Sequence, residues 1–299
     1  MAKPNTGKTG SPTGSSRLHS LRSVPRAELS RLLEQASLDQ LLELVSARHA
    51  VHFEAVRIGE GVLECLQLSD MEAYIEQRLN LPSPEVVPEA GTGTGIDALP
   101  LWAKLWPASL PLAMYLRGVV PGPGERVLEV GAGLGLAGLF AARRGFSVVL
   151  SDIAPEALIF ARINVLRNGL GDMVRVRSLD FTKADHSDAD HSKQGLSGSH
   201  PESYPERYDR IIGSEVLYLE SFFEPLLRFF RTHLASTPTA EILLSANAGR
   251  RSIKFFAAAK EFFHISRSMA PSPTSSPEVP DQPGAVANQN MYLYRLRPR

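Results

Sequence analysis

Short apolar runs alternate with longer amphipathic stretches along most of the chain, and this alternation predicts its secondary structure. Residues 125–133 (ERVLEVGAG) form a buried strand that runs into a glycine turn, and residues 134–145 (LGLAGLFAARRG) form the helix that follows. The same order recurs over residues 146–169, where FSVVLSD predicts a strand and Pro155 begins the next helix. Strands that alternate with helices indicate an α/β fold with a mainly parallel sheet.

The C-terminal part continues this pattern and then departs from it. Further strands are predicted over residues 174–181, 208–218, 240–247, 264–270 and 290–299, and further helices over residues 221–235 and 251–263. The last two strands have no helix between them, so they must pair antiparallel. A sheet that closes with a hairpin differs from the six parallel strands of the usual dinucleotide-binding arrangement.

Three segments lack the apolar positions that a packed core needs. We predict a disordered tail over residues 1–25 and loop insertions over residues 182–206 and 271–288. The tail has few acidic residues, as a transit peptide does, but it lacks amphipathic periodicity. The first insertion holds three histidines that could ligate a metal. No predicted helix or strand fixes them, so we favour a solvated loop and predict no metal site.

An extension over residues 26–99 precedes the α/β part. Residues 28–45 have the apolar spacing of a helix, and residues 51–68 read as two strands joined by a Gly-Glu-Gly turn. We expect this hairpin to face a substrate or to extend the sheet, and we expect Cys65 to be a buried hydrophobe and not a nucleophile. Residues 100–299 then form the ligand-binding domain.

Charge and composition exclude several classes of protein. Lys and Arg together number 32, as do Asp and Glu, and no basic patch stands out, so we predict no nucleic-acid partner. A single cysteine excludes an internal disulfide and a multi-cysteine metal site. No run of 18 apolar residues and no signal-peptide core occur, so we predict no membrane association and expect a cytoplasmic protein. The oligomeric state is not predicted.

The glycine turn is the strongest chemical signal. Gly131, Gly133 and Gly135 let the backbone turn tightly and approach a ligand at a helix N-terminus, although close packing of helix and strand would need glycines too. Asp152 ends the second strand, where a carboxylate accepts hydrogen bonds from ribose hydroxyls. Glu129 would repel a pyrophosphate and suits a cationic ligand. A nucleoside with a positive group, such as S-adenosylmethionine, meets both conditions.

These residues carry a family resemblance. The string EVGAGLG at 129–135, Asp152, the Leu-Asp-Phe at 179–181 and the terminal hairpin resemble a class I, seven-β-strand, S-adenosylmethionine-dependent methyltransferase. Residues 99–118 and 214–230 resemble the branch that contains protein-lysine methyltransferases. The resemblance covers about residues 50–299. It implies a three-layer Rossmann-like fold, with a mainly parallel seven-stranded sheet that ends in an antiparallel hairpin.

The resemblance also implies a cofactor site. The three glycines would line its methionine end, and Glu129 would support the turn or the ammonium. Asp152 would bind the ribose, while Asp180 and Phe181 would bind the adenine. Trp106 would pack over the cofactor from a helix whose first residue is Pro107, unless it is a half-buried core aromatic. The full set of implied contacts is Trp106, Glu129, Gly131, Gly133, Gly135, Asp152, Ile153, Asp180, Phe181 and Ser214.

Two residues after the fourth strand are the candidates for catalysis. Glu215 and Tyr218 resemble the acid-x-x-aromatic motif of the lysine branch, although an aspartate is common at the first position. The Asn/Asp-Pro-Pro-aromatic motif of many other N-methyltransferases is missing. A carboxylate can orient an ammonium, and an aromatic face can hold a methylated one. Alternatively, Glu215 caps the following helix.

Three functions are consistent with the sequence. The resemblance favours an enzyme that methylates lysine side chains of a protein partner. A small-molecule, nicotinamide-type N- or O-methyltransferase on the same fold is the second interpretation. The third is a non-catalytic nucleotide-binding protein or an NAD(P) enzyme, based on Gly133-x-Gly135-x-x-Gly138. In that last motif the first glycine lies too far after the strand, and no dehydrogenase residues follow it.

Overall fold

The computed structural model describes residues 21–80, 101–183, 206–249, 252–270 and 290–299, with the backbone alone for residues 77–80. Nearly all of both predicted insertions and most of the predicted tail lie outside these ranges, so those predictions remain untested. In chain order the helices and strands are α1 (Arg26–Gln35), α2 (Leu38–Ser46), β1 (Val51–Ile58), β2 (Gly61–Leu68), α3 (Met71–Asn80), α4 (Ser109–Arg117), β3 (Arg126–Val130), α5 (Leu136–Arg144), β4 (Ser147–Asp152), α6 (Pro155–Arg167), β5 (Val174–Ser178), β6 (Arg210–Ser214), α7 (Phe223–His233), β7 (Glu241–Asn247), α8 (Ile253–Ala259), β8 (Phe263–Ala270) and β9 (Met291–Pro298).

Seven strands form the main sheet, in the order β5-β4-β3-β6-β7-β9-β8. The strands from β5 to β7 are parallel, whereas β9 runs antiparallel to both β7 and β8. This arrangement confirms the predicted α/β fold and its terminal hairpin. Since β4 lies on one side of β3 and β6 on the other, the strand order reverses at β3, and open α/β sheets bind ligands at such a point.

Helices cover the two faces of the sheet and give the fold three layers. Helices α4, α5 and α6 pack on one face, and their apolar residues form a core with Val127, Val148 and Ile212. Helices α7 and α8 cover the other face against Leu128 and Leu244. Neighbouring residues of one strand point to opposite faces, and both faces are covered by helices. The sequences of these strands are therefore almost continuously apolar, which is typical of parallel sheets.

Several predicted boundaries move. The helical stretch at 28–45 is broken between α1 and α2, where Ser37 Oγ accepts from Gln40 N at 3.2 Å and Gln40 Oε1 accepts from Ser37 N at 2.9 Å. This reciprocal capping box starts a second helix. The strand predicted at 208–218 ends at Ser214, because the next residue adopts a left-handed backbone.

The predicted tail is too long at its C-terminal end. Residues Leu21–Ser23 form a short 3-10 turn, and the side chains of Leu21 and Val24 are 1% and 7% exposed. They share a hydrophobic cluster with helices α1, α2 and α6. The packed part of the chain therefore includes residues that composition alone assigns to disorder.

The N-terminal hairpin packs against α6. Among the described residues, strands β1 and β2 pair only with each other in a two-stranded sheet, so the hairpin does not extend the main sheet. Asn164, which is fully buried in α6, accepts at Oδ1 from Leu66 N at 2.7 Å. Its Nδ2 donates to Leu134 O in the glycine turn at 3.0 Å. One side chain thus holds both the hairpin and the turn. Within the described ranges, no helix has the length and apolar character needed to cross a bilayer.

We predict that Asn164→Ala lowers the free energy of unfolding by about 2 to 4 kcal/mol, because a buried N–H and a buried carbonyl lose their partner. Urea unfolding of the purified protein measures this change. The matched control is Glu34→Ala on the exposed side of α1, which should change stability by less than about 0.5 kcal/mol. A loss below about 1 kcal/mol for Asn164→Ala would show that the hairpin is held by other contacts.

Candidate active site

The carboxyl ends of the parallel strands open into a cavity of about 530 Å³, a size typical of small-molecule sites. The structure brings nearly all the sequence-predicted site residues to this cavity. Those that line it are Trp106, Gly131, Gly133, Gly135, Asp152, Ile153, Asp180, Phe181, Ser214, Glu215 and Tyr218. Glu129 is the one candidate that does not line it.

The turn after β3 requires glycine. Gly131, Gly133 and Gly135 have φ angles of 59°, 55° and 81°, in the left-handed region that other residues rarely adopt. A Cβ atom at Gly135 would lie 2.6 Å from Leu150 Cδ1, and one at Gly133 would lie 3.1 Å from Trp102 O. Both predicted reasons for the glycines therefore apply, since the turn is tight and the packing beneath it is close.

Asp152 holds the glycine turn from the neighbouring strand. Its Oδ2 accepts from Gly133 N at 2.9 Å, and its Oδ1 accepts from Ala154 N at 3.0 Å. The side chain is 9% exposed, and burial raises its pKa above the usual range of an aspartate. Each oxygen of a carboxylate can accept more than one hydrogen bond. Asp152 can therefore shape the turn and still bind a hydroxyl group in the cavity.

Glu129 supports the turn from below and does not reach the cavity. Its Oε2 accepts from Gly138 N at 2.8 Å, in the first turn of α5, and its side chain is 1% exposed. Burial raises its pKa to about 8, so the group is mainly neutral at pH 7. The prediction that it supports the turn agrees with this geometry. The raised pKa and the burial of Glu129 do not support the argument that its charge favours a cationic ligand, and a contact with the cofactor ammonium stays a prediction.

The two tryptophans before α4 have different environments. Trp102 is buried, and its ring packs against Tyr74 and Phe160 at centroid distances of 6.0 and 5.0 Å. Trp106 is 37% exposed, lines the cavity, and donates its indole N–H to the carbonyl of Leu101. The core aromatic is therefore Trp102, and Trp106 is available to a ligand.

The sequence predicts that Pro107 is the first residue of a helix, but α4 begins two residues later. Trp106 O accepts from Ser109 N at 2.9 Å and from Ser109 Oγ at 2.7 Å. The chain thus makes a separate turn before α4 begins at Ser109. This turn holds the Trp106 backbone at the cavity.

Glu215 and Tyr218 both line the cavity, whereas Leu217 between them does not. Glu215 has a φ of 54°, which reverses the chain directly after β6. Val216 and Leu217 then turn into the core, where they are 6% and 4% exposed. A Cβ atom at Gly131 would lie 3.2 Å from Val216 Cγ1, so the reversal packs against the glycine turn. The spacing of the acid-x-x-aromatic motif follows from this local fold.

The Glu215 side chain bridges two strand ends. Its Oε1 accepts from Asn247 N at 2.7 Å, and its backbone N–H donates to Ser245 O at 2.8 Å. These bonds fix the carboxylate between β6 and β7. They do not support the alternative in which Glu215 caps the next helix, because the 3-10 turn that leads into α7 begins at Glu220, with Leu219 at its cap position.

An aromatic residue that sequence reasoning missed completes one wall. Phe222 lines the cavity and makes edge-to-face contacts with Tyr218 and Phe181, at centroid distances of 5.2 and 5.5 Å. Its spacing of four residues from Tyr218 was a signal that they could share a face. Glu156, also missed, lines the cavity and accepts from Tyr74 Oη at 2.9 Å.

A second cavity of about 390 Å³ adjoins the first. It is lined by Trp106, Pro107, Ala108, Glu215, Asn247, Gly249 and Met291. Trp106 and Glu215 belong to both cavities. These two residues therefore lie in a wall that both cavities share.

The strand order, the terminal hairpin, the left-handed glycine turn and the aspartate at the end of β4 together define a class I S-adenosylmethionine-dependent methyltransferase. A family model described as lysine methyltransferase matches residues 100–263. The chain belongs to this family. Membership confirms the prediction of an S-adenosylmethionine-dependent protein lysine methyltransferase, and the cofactor is S-adenosylmethionine.

Individual relatives carry several names. The chain is 33% identical over 168 residues to protein N-lysine methyltransferase METTL21A of Danio rerio, a match that covers 54% of this chain and 69% of that protein. It is 32% identical over 191 residues to histone-arginine methyltransferase METTL23 of Xenopus laevis, covering 62% and 68%. A solved TehB-like S-adenosylmethionine-dependent methyltransferase from Corynebacterium glutamicum is similar with a TM-score of 0.43 and 16% identity, covering 63% and 88%.

We predict that Asp152→Ala weakens S-adenosylhomocysteine binding by at least tenfold. The variant loses the carboxylate that the family resemblance assigns to the ribose hydroxyls, and the bond that fixes Gly133. Isothermal titration calorimetry measures the affinity. Asp172→Ala removes an exposed aspartate before β5, at the opposite end of the sheet, and should leave the affinity unchanged. Equal affinity of the Asp152→Ala variant and the wild type would contradict the role of this carboxylate.

The raised pKa of Glu129 predicts a pH dependence of stability. The folded protein keeps the proton up to a pH of about 8, whereas the unfolded chain releases it near 4.5. Protonated Glu129 therefore contributes to the free energy of unfolding. This contribution is fully present below pH 4.5 and is lost as the pH rises towards 8. The side chain in the variant Glu129→Gln cannot ionise, so the stability of this variant does not fall with pH for this reason.

The stability of Glu129→Gln relative to the wild type should therefore increase from pH 5 to pH 8, by at most about 1.4 kcal/mol per pH unit. Urea unfolding at intervals of one pH unit tests this. A difference that stays constant with pH would show that the folded and unfolded states hold the Glu129 proton equally well.

Proposed function

We propose that the chain transfers the methyl group of S-adenosylmethionine to the ε-amino group of a lysine in a protein substrate, with Glu215 and Tyr218 at the acceptor amine. The observation that carries this proposal is the meeting of the two cavities at Trp106 and Glu215. In this arrangement the cofactor occupies the larger cavity, which holds the glycine turn. The lysine side chain enters through the smaller one.

The size and lining of the smaller cavity suit a lysine. Trp106, Ala108 and Met291 offer apolar surface to the methylene chain, and Glu215 offers a carboxylate at the end that adjoins the cofactor cavity. A lysine side chain combines these same features, with an apolar stem and a charged tip. The acceptor amine then reaches the cofactor at the shared wall.

Glu215 is the residue that handles the charge of the amine in this proposal. Its carboxylate accepts a hydrogen bond from the incoming ammonium and orients the nitrogen while the proton leaves. The bond from Asn247 N holds the Oε1 atom in place, so little reorganisation is needed when the amine arrives. Tyr218 and Phe222 line the same cavity as Glu215, and aromatic faces stabilise a cationic or methylated amine.

Exclusion of water is the other contribution of the protein. S-adenosylmethionine, when bound, supplies a methyl group that its sulfonium already activates for displacement. The aromatic rings of Trp106 and Tyr218 remove water from around the lysine nitrogen, which lowers the pKa of the amine. Positioning that nitrogen about 3 Å from the methyl group contributes several kcal/mol to catalysis.

The remaining predictions on setting and organisation are part of the same proposal. We propose that the protein acts in the cytoplasm on a protein partner, without binding nucleic acid or membranes. The single cysteine, Cys65, is fully buried, and burial raises its pKa to about 12, which makes it a structural residue compatible with a reducing compartment. We also propose that residues 26–99 form an extension to a methyltransferase domain over residues 100–299.

We predict that Glu215→Gln lowers methyl transfer to protein by roughly 10²-fold or more, because the amide cannot accept the charge of the ammonium. Tyr218→Phe should cost less if the ring face acts and about as much if the hydroxyl does. Both variants should bind S-adenosylhomocysteine within about threefold of the wild type. Transfer is measured with tritiated S-adenosylmethionine and cell-extract protein, and mass spectrometry locates the methyl groups.

The matched controls are Glu220→Gln and Tyr292→Phe. Glu220 is exposed and pairs with Lys254 Nζ at 2.6 Å, and neither control residue lines the two cavities. Both should keep full activity. An active Glu215→Gln enzyme would contradict the role of Glu215. Methyl groups found only on arginine, on histidine or on small molecules would refute lysine as the acceptor.

A further inference from the structure

We infer that Arg22, in the short turn before α1, binds the carboxylate of the methionine part of S-adenosylmethionine. Arg22 lines the cofactor cavity although it lies more than seventy residues before the matched family region. The inference rests on the cofactor and not on the identity of the acceptor.

The flanking residues fix Arg22 at the cavity. Leu21 and Val24 are buried, and they share one hydrophobic cluster with Trp102 and with Leu134 of the glycine turn. The backbone of the turn is therefore anchored beside the wall that the family resemblance assigns to the methionine end. With its neighbours packed in the core, Arg22 contributes a half-buried side chain to the cavity.

The charges of the cavity show why a cation is needed there. Four carboxylates line it, from Asp152, Glu156, Asp180 and Glu215. They suit the ammonium and sulfonium of the cofactor, but they repel its carboxylate. Among the described lining residues, the only cationic side chains are those of Arg22 and Lys104.

Of these two cations, Arg22 is the better ligand for a carboxylate. Lys104 is exposed, and water screens an exposed charge. Arg22 is half-buried, where a charge-assisted contact is stronger, and its guanidinium can donate two parallel hydrogen bonds to a carboxylate.

The neighbouring acid Glu156 contacts two residues of the N-terminal extension. Its Oε2 accepts from Tyr74 Oη at 2.9 Å, and its Oε1 lies 3.9 Å from His49 Nε2. Burial lowers the pKa of His49, so this ring is mainly neutral at pH 7. Tyr74 and His49 belong to the N-terminal extension, and Arg22 lies directly before its first helix. The extension thus contributes to the cofactor wall at two points.

The test compares two ligands that differ only in the carboxylate: S-adenosylhomocysteine and its decarboxylated analogue, which keeps the amine. Arg22→Gln should weaken binding of S-adenosylhomocysteine by about tenfold or more in calorimetry, and should change binding of the analogue by less than twofold. Arg22→Lys should recover part of the loss. The control Arg26→Gln, at the start of α1 and outside the cavity, should change neither affinity.

Three results would overturn the inference. Equal weakening of both ligands by Arg22→Gln would show a general structural role for the turn. Unchanged affinity for S-adenosylhomocysteine, or a selective loss in Lys104→Gln, would place the carboxylate elsewhere. Binding is measured without any acceptor, so this test gives its answer even if the methylated residue is not lysine.

Discussion

The rest of the site depends on hydrogen bonds from two backbone amides to two buried carboxyl groups. These bonds hold the glycine turn and the start of the helix that follows it. Glu129 holds the amide of Gly138 at the start of α5, and Asp152 holds the amide of Gly133. The two acids end adjacent parallel strands, so the sheet itself sets their separation. The loop between them needs left-handed glycines, which have no side chains to pack, and Leu134 supplies a buried side chain. Hydrogen bonds from the sheet supply the missing rigidity.

The change of chain direction at Glu215, directly after β6, brings the proposed acceptor residues next to the glycine turn. With Glu215 in a left-handed conformation, Val216 packs on Gly131, and the carboxylate reaches the end of β7. A non-glycine residue with a positive φ is strained, and such strain is concentrated at functional sites. Here the strain has a visible result, because it places one carboxylate in the walls of two cavities.

The sequence was sufficient for the sheet, because its buried strands and glycine turn have strong local signals. It was also sufficient to locate most cavity residues, since parallel strands end at one edge. It failed where long-range packing decides the outcome. Glu129 reads as a charged ligand group, but its burial makes it neutral and structural. The polar composition around Leu21 indicates disorder, whereas contacts with distant helices order it. The role of Arg22 is invisible in the sequence for the same reason.

The double hydrogen bond of Asn164 also bears on the order in which the protein is made. The hairpin that Asn164 fastens is synthesised 98 residues before Asn164 itself, counted from Leu66. During translation, the N–H group of Leu66 in β2 can therefore form its hydrogen bond with Asn164 only after α6 has been synthesised. Contacts between residues so far apart in sequence form late, because the chain between them must first be ordered. The same side chain also bonds Leu134 in the glycine turn, so the late docking of the hairpin and the structure of the cofactor site share one residue.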